Sequence, residues 1–285
     1  MITPVSTASI DPASITAYRR YLTDCERASA TVDKYIRDIT AFVAWLSNRP
    51  PDKGAVLSYK AALTERYAPA SVNAALSSLN GFFAYIERYD LRVRNLKIQR
   101  RIFAPTDREL SKVEYERLLA TAKRRNNERL YLLMQAICST GIRVSEVRYI
   151  TVEAVRHGVA EIHGKGKRRQ VFLPKQLCLM LRTYAQKQNR KSGSVFVTKT
   201  GRPIDRSNIW SDMKKVCREA HVAETKVFPH NLRHLFARTY YTRQKDIVRL
   251  ADILGHANVN TTRIYTMESG ETHRRQLQKL GLLLC

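Results

Sequence analysis

Acidic residues are scarce in this chain: 25 Asp and Glu stand against 50 Lys and Arg, leaving a formal charge of +25 over 285 residues. Charge this one-sided repels itself unless a polyanion neutralises it, so nucleic acid leads the candidate partners. A Lys/Arg-only tail and a basic amphipathic anchor are both missing, which argues against a membrane-surface or ribosomal binder. Cysteine is sparse too: Cys25, Cys138, Cys178, Cys217 and Cys285 are odd in number and scattered. None forms CxxC or has His at metal-ligand spacing, which excludes a disulfide framework and a zinc site and predicts reduced thiols with no metal or cofactor. No apolar run is long enough to span a bilayer, and the opening "MITPVSTASIDPAS" lacks the charged-then-apolar order of a secretory signal. A soluble, cytoplasmic protein is expected. Internal repeats and low-complexity tracts are lacking as well.

What is present suits two domains of unequal size. "SATVDKYIRDITAFVAWLSNRPP" places Val32, Tyr35, Ile36, Ile39, Phe42, Val43 and Leu46 on one helical stripe, with Ser29 or Thr31 as a cap and Pro50-Pro51 as a stop. "APASVNAALSSLNGFFAYIERYD" repeats the pattern, and weaker helical stretches lie around Ile15 to Leu22 and Ala55 to Tyr67. Residues 1–90 are expected to form a small helical bundle. Residues 91–108, "LRVRNLKIQRRIFAPTDR", show no clean period and read as a basic linker suited to a phosphate backbone.

The second domain, 109–285, opens where Ser111 and Glu114 have capping-box spacing. A helix over Glu128 to Ser139 stops at Gly141, and "VAEIHGKGKRRQVFLP" reads as two short strands joined at "GKGK". Helices resume through "KQLCLMLRTYAQK", "DRSNIWSDMKKVCREA", "PHNLRHLFARTYYT" and "QKDIVRLADILG", where Gly255 fits a helix C-terminus. The fold class is mainly α with a small β-sheet.

Five segments carry the residues that could do chemistry: "TGIRVSEV" with Arg143, "HGKGKRRQ" with Lys165, "HNLRH" with His230 and Arg233, "LGHANVNTT" with His256, and "TTRIYT" with Tyr265. Singly, each has an ordinary structural explanation. Together, in order and local wording, they resemble the tyrosine recombinase (phage integrase) family over Thr140 to Thr266. The resemblance implies a helical DNA-binding domain followed by an α+β catalytic domain, with every catalytic position filled. Leu235, where a small hydroxyl residue is common, departs from the pattern and reads as packing.

The implied chemistry explains the residue types. Attack on a phosphodiester builds negative charge on non-bridging oxygens, which the forked guanidiniums of Arg143 and Arg233 would meet. His256 would add a donor, and His230, one turn before Arg233, would help take the proton of the Tyr265 nucleophile. The product would be a 3′-phosphotyrosyl enzyme and a free 5′-hydroxyl. The hairpin Lys165 would protonate the leaving oxygen; Lys167 competes, but the family pattern places the acid in the first "GK". Glu146 could orient Arg143 or simply be solvated. His234 is expected on a neighbouring face, as structure.

The resemblance implies a site-specific recombinase that clamps double-stranded DNA between its domains and exchanges strands in a homotetrameric synapse. The chain looks too short for a further arm-site domain, which favours a transposon, plasmid-resolution or chromosome-dimer system over a large phage integrase. Two alternatives stay open on sequence: type IB topoisomerase-like nicking and resealing, and a non-catalytic DNA-binding regulator. After Tyr265, Leu277, Leu280, Leu283 and Leu284 recur at helical spacing. They predict a short tail helix with an apolar face in need of a cover; the resemblance implies that it docks on a neighbouring protomer, in preference to folding back on its own domain.

Overall fold

Four helices follow the apolar stripes of the first hundred residues: α1 (Pro12–Asp24), α2 (Ser29–Leu46), α3 (Lys53–Arg66) and α4 (Pro69–Tyr85). The computed structural model describes residues 10–47, 49–98, 108–164, 167–265, 274, 278 and 279. The chain divides into two units, Met1–Arg100 and Arg101–Cys285. In the first, Asp11 and Asp52 cap α1 and α3 by accepting from Ala13 N (2.8 Å) and Ala55 N (2.6 Å). Helix α2 differs from expectation at both ends. Its N-cap is Ala28, Ser29 turning its hydroxyl to Asp33 instead, and it stops at a left-handed Ser47 before Pro50 is reached. The bundle closes over Ile39, Phe42, Leu76, Leu79, Phe82 and Phe83, all fully buried. Truncating one of these phenylalanines to Ala costs about 3–5 kcal/mol.

The basic segment begins on this bundle. Leu91 and Val93 enter its core while Arg92 and Arg94 face solvent. Two asparagines, seven residues apart and so on one face of α4, each grip the backbone of the extended segment twice. Asn80 holds Val93 N and O (2.9 and 2.8 Å), and Asn73 holds Leu96 N and O (2.7 and 2.9 Å). Lys60 donates to the Arg94 carbonyl at 2.7 Å, and Lys53 to that of Arg92. Side chains thus stand in for a missing strand partner.

The second unit contains α5 (Lys112–Arg124), α6 (Glu128–Thr140), a 3-10 turn (Val144–Tyr149), α7 (Val152–His157) and a two-stranded hairpin. Strand β1 (Val159–Gly164) pairs antiparallel with β2 (Lys167–Phe172), in register from Val159↔Phe172 to Gly164↔Lys167. Then come α8 (Lys175–Lys187), α9 (Arg206–Cys217), α10 (Pro229–Gln244) and α11 (Ile247–Leu254). The Ser111/Glu114 capping box forms as expected. Helix α6 is central, packing on α5, α8, α9 and α10, and Leu133, Met134 and Ile137 from it are fully buried. Leu235 packs against this core. A smaller cluster joins Ala237 of α10, Leu250 and Leu254 of α11, and Tyr265. Among the described residues, no helix is long and apolar enough to cross a membrane and no cluster of His, Cys, Asp or Glu could hold a metal.

Candidate active site

The site is organised around the C-terminal end of α11. The last carbonyls of a helix have no partner within it and carry the negative end of its dipole, so cations collect there. Here three guanidiniums take three successive carbonyls: Arg169 Nη1 donates to Ile253 O (2.9 Å), Arg233 Nη2 to Leu254 O (2.8 Å) and Arg143 Nη2 to Gly255 O (3.0 Å). Gly255 makes this possible. At φ +64 it ends the helix in the left-handed region, and a Cβ there would lie 2.5 Å from Arg169 Cδ. The next residue, His256, returns its backbone N–H to Ala251 O at 2.9 Å.

Gly141 does the same for α6. At φ +66, a Cβ on it would sit 2.5 Å from the Phe236 ring, and its carbonyl accepts from Arg233 Nη1 at 2.5 Å. Arg233 is only 2% exposed. Burial, aided by Arg143, pushes its pKa down to about 10, while the adjacent Tyr265 phenol opposes the shift. It stays charged at neutral pH.

Arg143 is half exposed and held by Glu146, whose Oε1 accepts from Arg143 Nη1 (2.9 Å) and whose Oε2 accepts from the Arg143 backbone N–H (2.9 Å). Arg169 Nη2 reaches Glu146 Oε2 from the other side at 2.6 Å. Burial raises the Glu146 pKa, but the Arg143 N–H and the two guanidiniums outweigh it and hold the carboxylate below its ordinary range. Glu146 is an anchored side chain, not a solvated one.

His256 accepts from Arg233 Nη2 on Nε2 (3.0 Å) and meets buried Thr262 Oγ1 with Nδ1 (2.8 Å). Desolvation and the surrounding arginines push its pKa down to about 4. Tyr265, 3% exposed, stacks on His256 (ring centroids 6.1 Å apart) and meets His234 edge to face at 4.6 Å. His234 in turn lies 4.5 Å from His230. It therefore shares a side of α10 with His230, four residues away, and touches the Tyr265 ring directly, where the sequence suggested a neighbouring face. Desolvation and neighbouring cationic groups lower the pKa of His230 below its ordinary value and push that of His234 down to about 4.

Arg143, His230, Arg233, His256 and Tyr265 all line one cleft of about 870 Å³. Arg206, Trp210 and Lys214 of α9 line it as well, the indole half exposed beneath the Lys214 ammonium. Lys165 lies outside the described residues; Lys167 opens β2, its backbone paired with Gly164. A pocket with fixed guanidiniums, neutral imidazoles and a phenol is suited to a charged phosphate diester.

Residues 108–271 match the phage integrase family and residues 15–89 its N-terminal SAM-like domain. The chain belongs to this family. Its relatives within the tyrosine recombinases include XerD of Lacticaseibacillus casei, 30% identical over 275 residues that cover 87% of this chain and 92% of that protein. XerC of the same species, strain BL23, is 31% identical over 279 residues, covering 88% and 93%. A solved lambda integrase tetramer bound to a Holliday junction aligns with TM-score 0.72 at 16% identity, over 89% of this chain and 76% of that one, and shares the fold. In this tyrosine recombinase, motif reasoning located the cleft but missed Arg169, Thr262 and Trp210. The signal for Arg169 was its place on β2, facing the same way as buried Val171 two residues on.

Proposed function

We propose that this chain is a site-specific recombinase that cleaves and rejoins duplex DNA through a 3′-phosphotyrosyl intermediate on Tyr265. One observation carries the proposal: the phenol, two guanidiniums and two imidazoles of the family motif line a single cleft. Arg143 and Arg233 neutralise the non-bridging oxygens, with most of the reorganisation already completed by their bonds to helix-end carbonyls. The Tyr265 oxygen attacks phosphorus, the bond to the 5′-oxygen breaks, and the phenolic proton passes to His230, whose lowered pKa leaves it neutral and able to accept. Lys165 supplies the proton to the leaving oxygen, with Lys167 second in line. One phosphate ester replaces another, so the 5′-hydroxyl reverses the step without ATP.

The positive charge and the family support double-stranded DNA as partner, and the lambda integrase tetramer on its junction supports a four-protomer synapse. A mobile-element or chromosome-resolution site and a cytoplasmic location complete the proposal. A nicked duplex carrying the native flanking DNA tests it: the wild type should form an adduct that survives denaturation, linked at a 3′-phosphate. Tyr265→Phe should bind equally well and form none. Adduct from the phenylalanine variant would remove Tyr265 from the mechanism. On a two-site plasmid, recombinant product is expected; relaxation without exchange would overturn recombination in favour of topoisomerase activity.

A further inference from the structure

Arg169 does not touch the cleft, yet it binds two of the elements that shape it. Its side chain, 18% exposed, runs from β2 beneath Gly255 and places one guanidinium nitrogen on Ile253 O (2.9 Å) and the other on Glu146 Oε2 (2.6 Å). Glu146 then has its second oxygen for Arg143. We infer that Arg169 is a positioning residue for Arg143, fixing the Glu146 carboxylate so that the Arg143 guanidinium is held at the end of α11 and aimed into the cleft.

One observation and one general rule favour this over a purely stabilising ion pair. The Arg169 Nε is buried with no hydrogen-bond partner, a penalty that offsets the gain from the other two bonds. Buried ion pairs in general add little stability over apolar side chains of similar volume. The arrangement does, however, constrain direction. Glu146 sits on a 3-10 turn and is pulled from one side by Arg143; Arg169 supplies the opposing hold and ties it to the helix end that also carries His256.

The inference rests on Arg143 meeting the scissile phosphate. Its test compares single-turnover cleavage of two substrates, one with a normal scissile phosphodiester and one with a methylphosphonate there, in which a methyl group replaces a charged non-bridging oxygen. Arg169→Met keeps the buried volume, and Arg169→Lys keeps charge but can satisfy only one of the two acceptors. On the phosphodiester, Arg169→Met should cleave about 10- to 100-fold slower with DNA affinity nearly unchanged, the scale expected when a preorganised donor is misaimed. Arg169→Lys should recover part of that loss. On the methylphosphonate the deficit of Arg169→Met should shrink about tenfold or more, because less charge needs neutralising, and Arg143→Ala should behave alike. An equal deficit on both substrates, or a normal rate on the phosphodiester, overturns the role of Arg169. If Arg143→Ala itself shows no shrinkage, the phosphate role of Arg143 falls first, and the inference built on it falls with it.

Discussion

The Arg233 guanidinium donates to His256 Nε2 across 3.0 Å, and that contact sets the tautomer of the imidazole. Arginine has no acceptor, so Nε2 carries the lone pair, the ring proton sits on Nδ1, and Thr262 Oγ1 at 2.8 Å receives it. His256 in this arrangement steadies Arg233. Acting as a donor to a phosphate oxygen requires it to take up a proton, which an approaching anion favours.

Thr262 is consequently a test of the tautomer. Thr262→Val leaves the Nδ1 proton of His256 without its acceptor at a fully buried position, which should cost about 1–3 kcal/mol in denaturant unfolding and slow single-turnover cleavage. Thr262→Ser should restore both. A valine variant with unchanged stability and rate would mean that the hydrogen bond has no bearing on His256.

Stability should depend on pH through the imidazoles. His234 and His256 have pKa values pushed down from 6.5 to about 4 by desolvation and nearby cationic groups, so between those values the unfolded chain binds more protons than the folded one. Their contribution is complete above pH 6.5 and is lost as the pH falls toward 4. Each such proton adds a slope of about 1.4 kcal/mol per pH unit at most, less here because both rings are partly solvated. Denaturation curves from about pH 4.5 to 7.5 should show the slope, and His234→Phe should flatten it while keeping an aromatic ring against Tyr265. The same slope in both proteins would refute the assignment.

Gly255→Ala should be damaging for two separate reasons. The left-handed backbone disfavours a side chain, a cost of about 1 kcal/mol, and the new methyl would meet Arg169 at 2.5 Å. Loss of thermal stability should be accompanied by slower cleavage, because the displaced arginine also holds Glu146. Adding Arg169→Ala should relieve the clash and recover part of the stability, the left-handed strain remaining, but not activity. If the single variant melts and cleaves normally, the helix end is softer than its packing implies.

The side chains of Arg92, Arg94 and Lys97 face solvent while their backbone is fixed on the first unit, and on the proposed function they would meet phosphates. Changing all three to Gln should leave stability within about 0.5 kcal/mol. It should also reduce the slope of log affinity against log salt by about 0.9 for each phosphate that is no longer neutralised. An unchanged slope would place this segment away from DNA.

The sequence made the grouping of Arg143, His230, Arg233 and His256 in one cleft legible because each sits beside a local signal. Gly141 and Gly255 mark helix ends, and His230 with Arg233 shares one helical turn. The boundary between α10 and α11 was harder to see because Lys245, a non-glycine residue at φ 54, makes the turn. Arg169 was hidden in the run "KRRQ", where a charge ordinarily signals solvent and only the register of β2 reveals that it points inward. Residues 91–96 hid their alternation for a different reason: the segment is short and its partners are the side chains of Asn73 and Asn80, which carry no β-pattern at all. Leu277, Leu280, Leu283 and Leu284 of the tail lie outside the described residues.

Three guanidiniums at one helix end repel one another, and the carbonyl dipoles beneath them with the single Glu146 carboxylate answer only part of that repulsion. The folded protein therefore holds an electrostatic tension that a compact oxyanion would relax. Stability and catalysis are coupled at this point: a tetrahedral anion such as vanadate or sulfate, seated in the cleft, should raise the melting temperature, and removing either cleft-facing arginine should change the effect of removing the other.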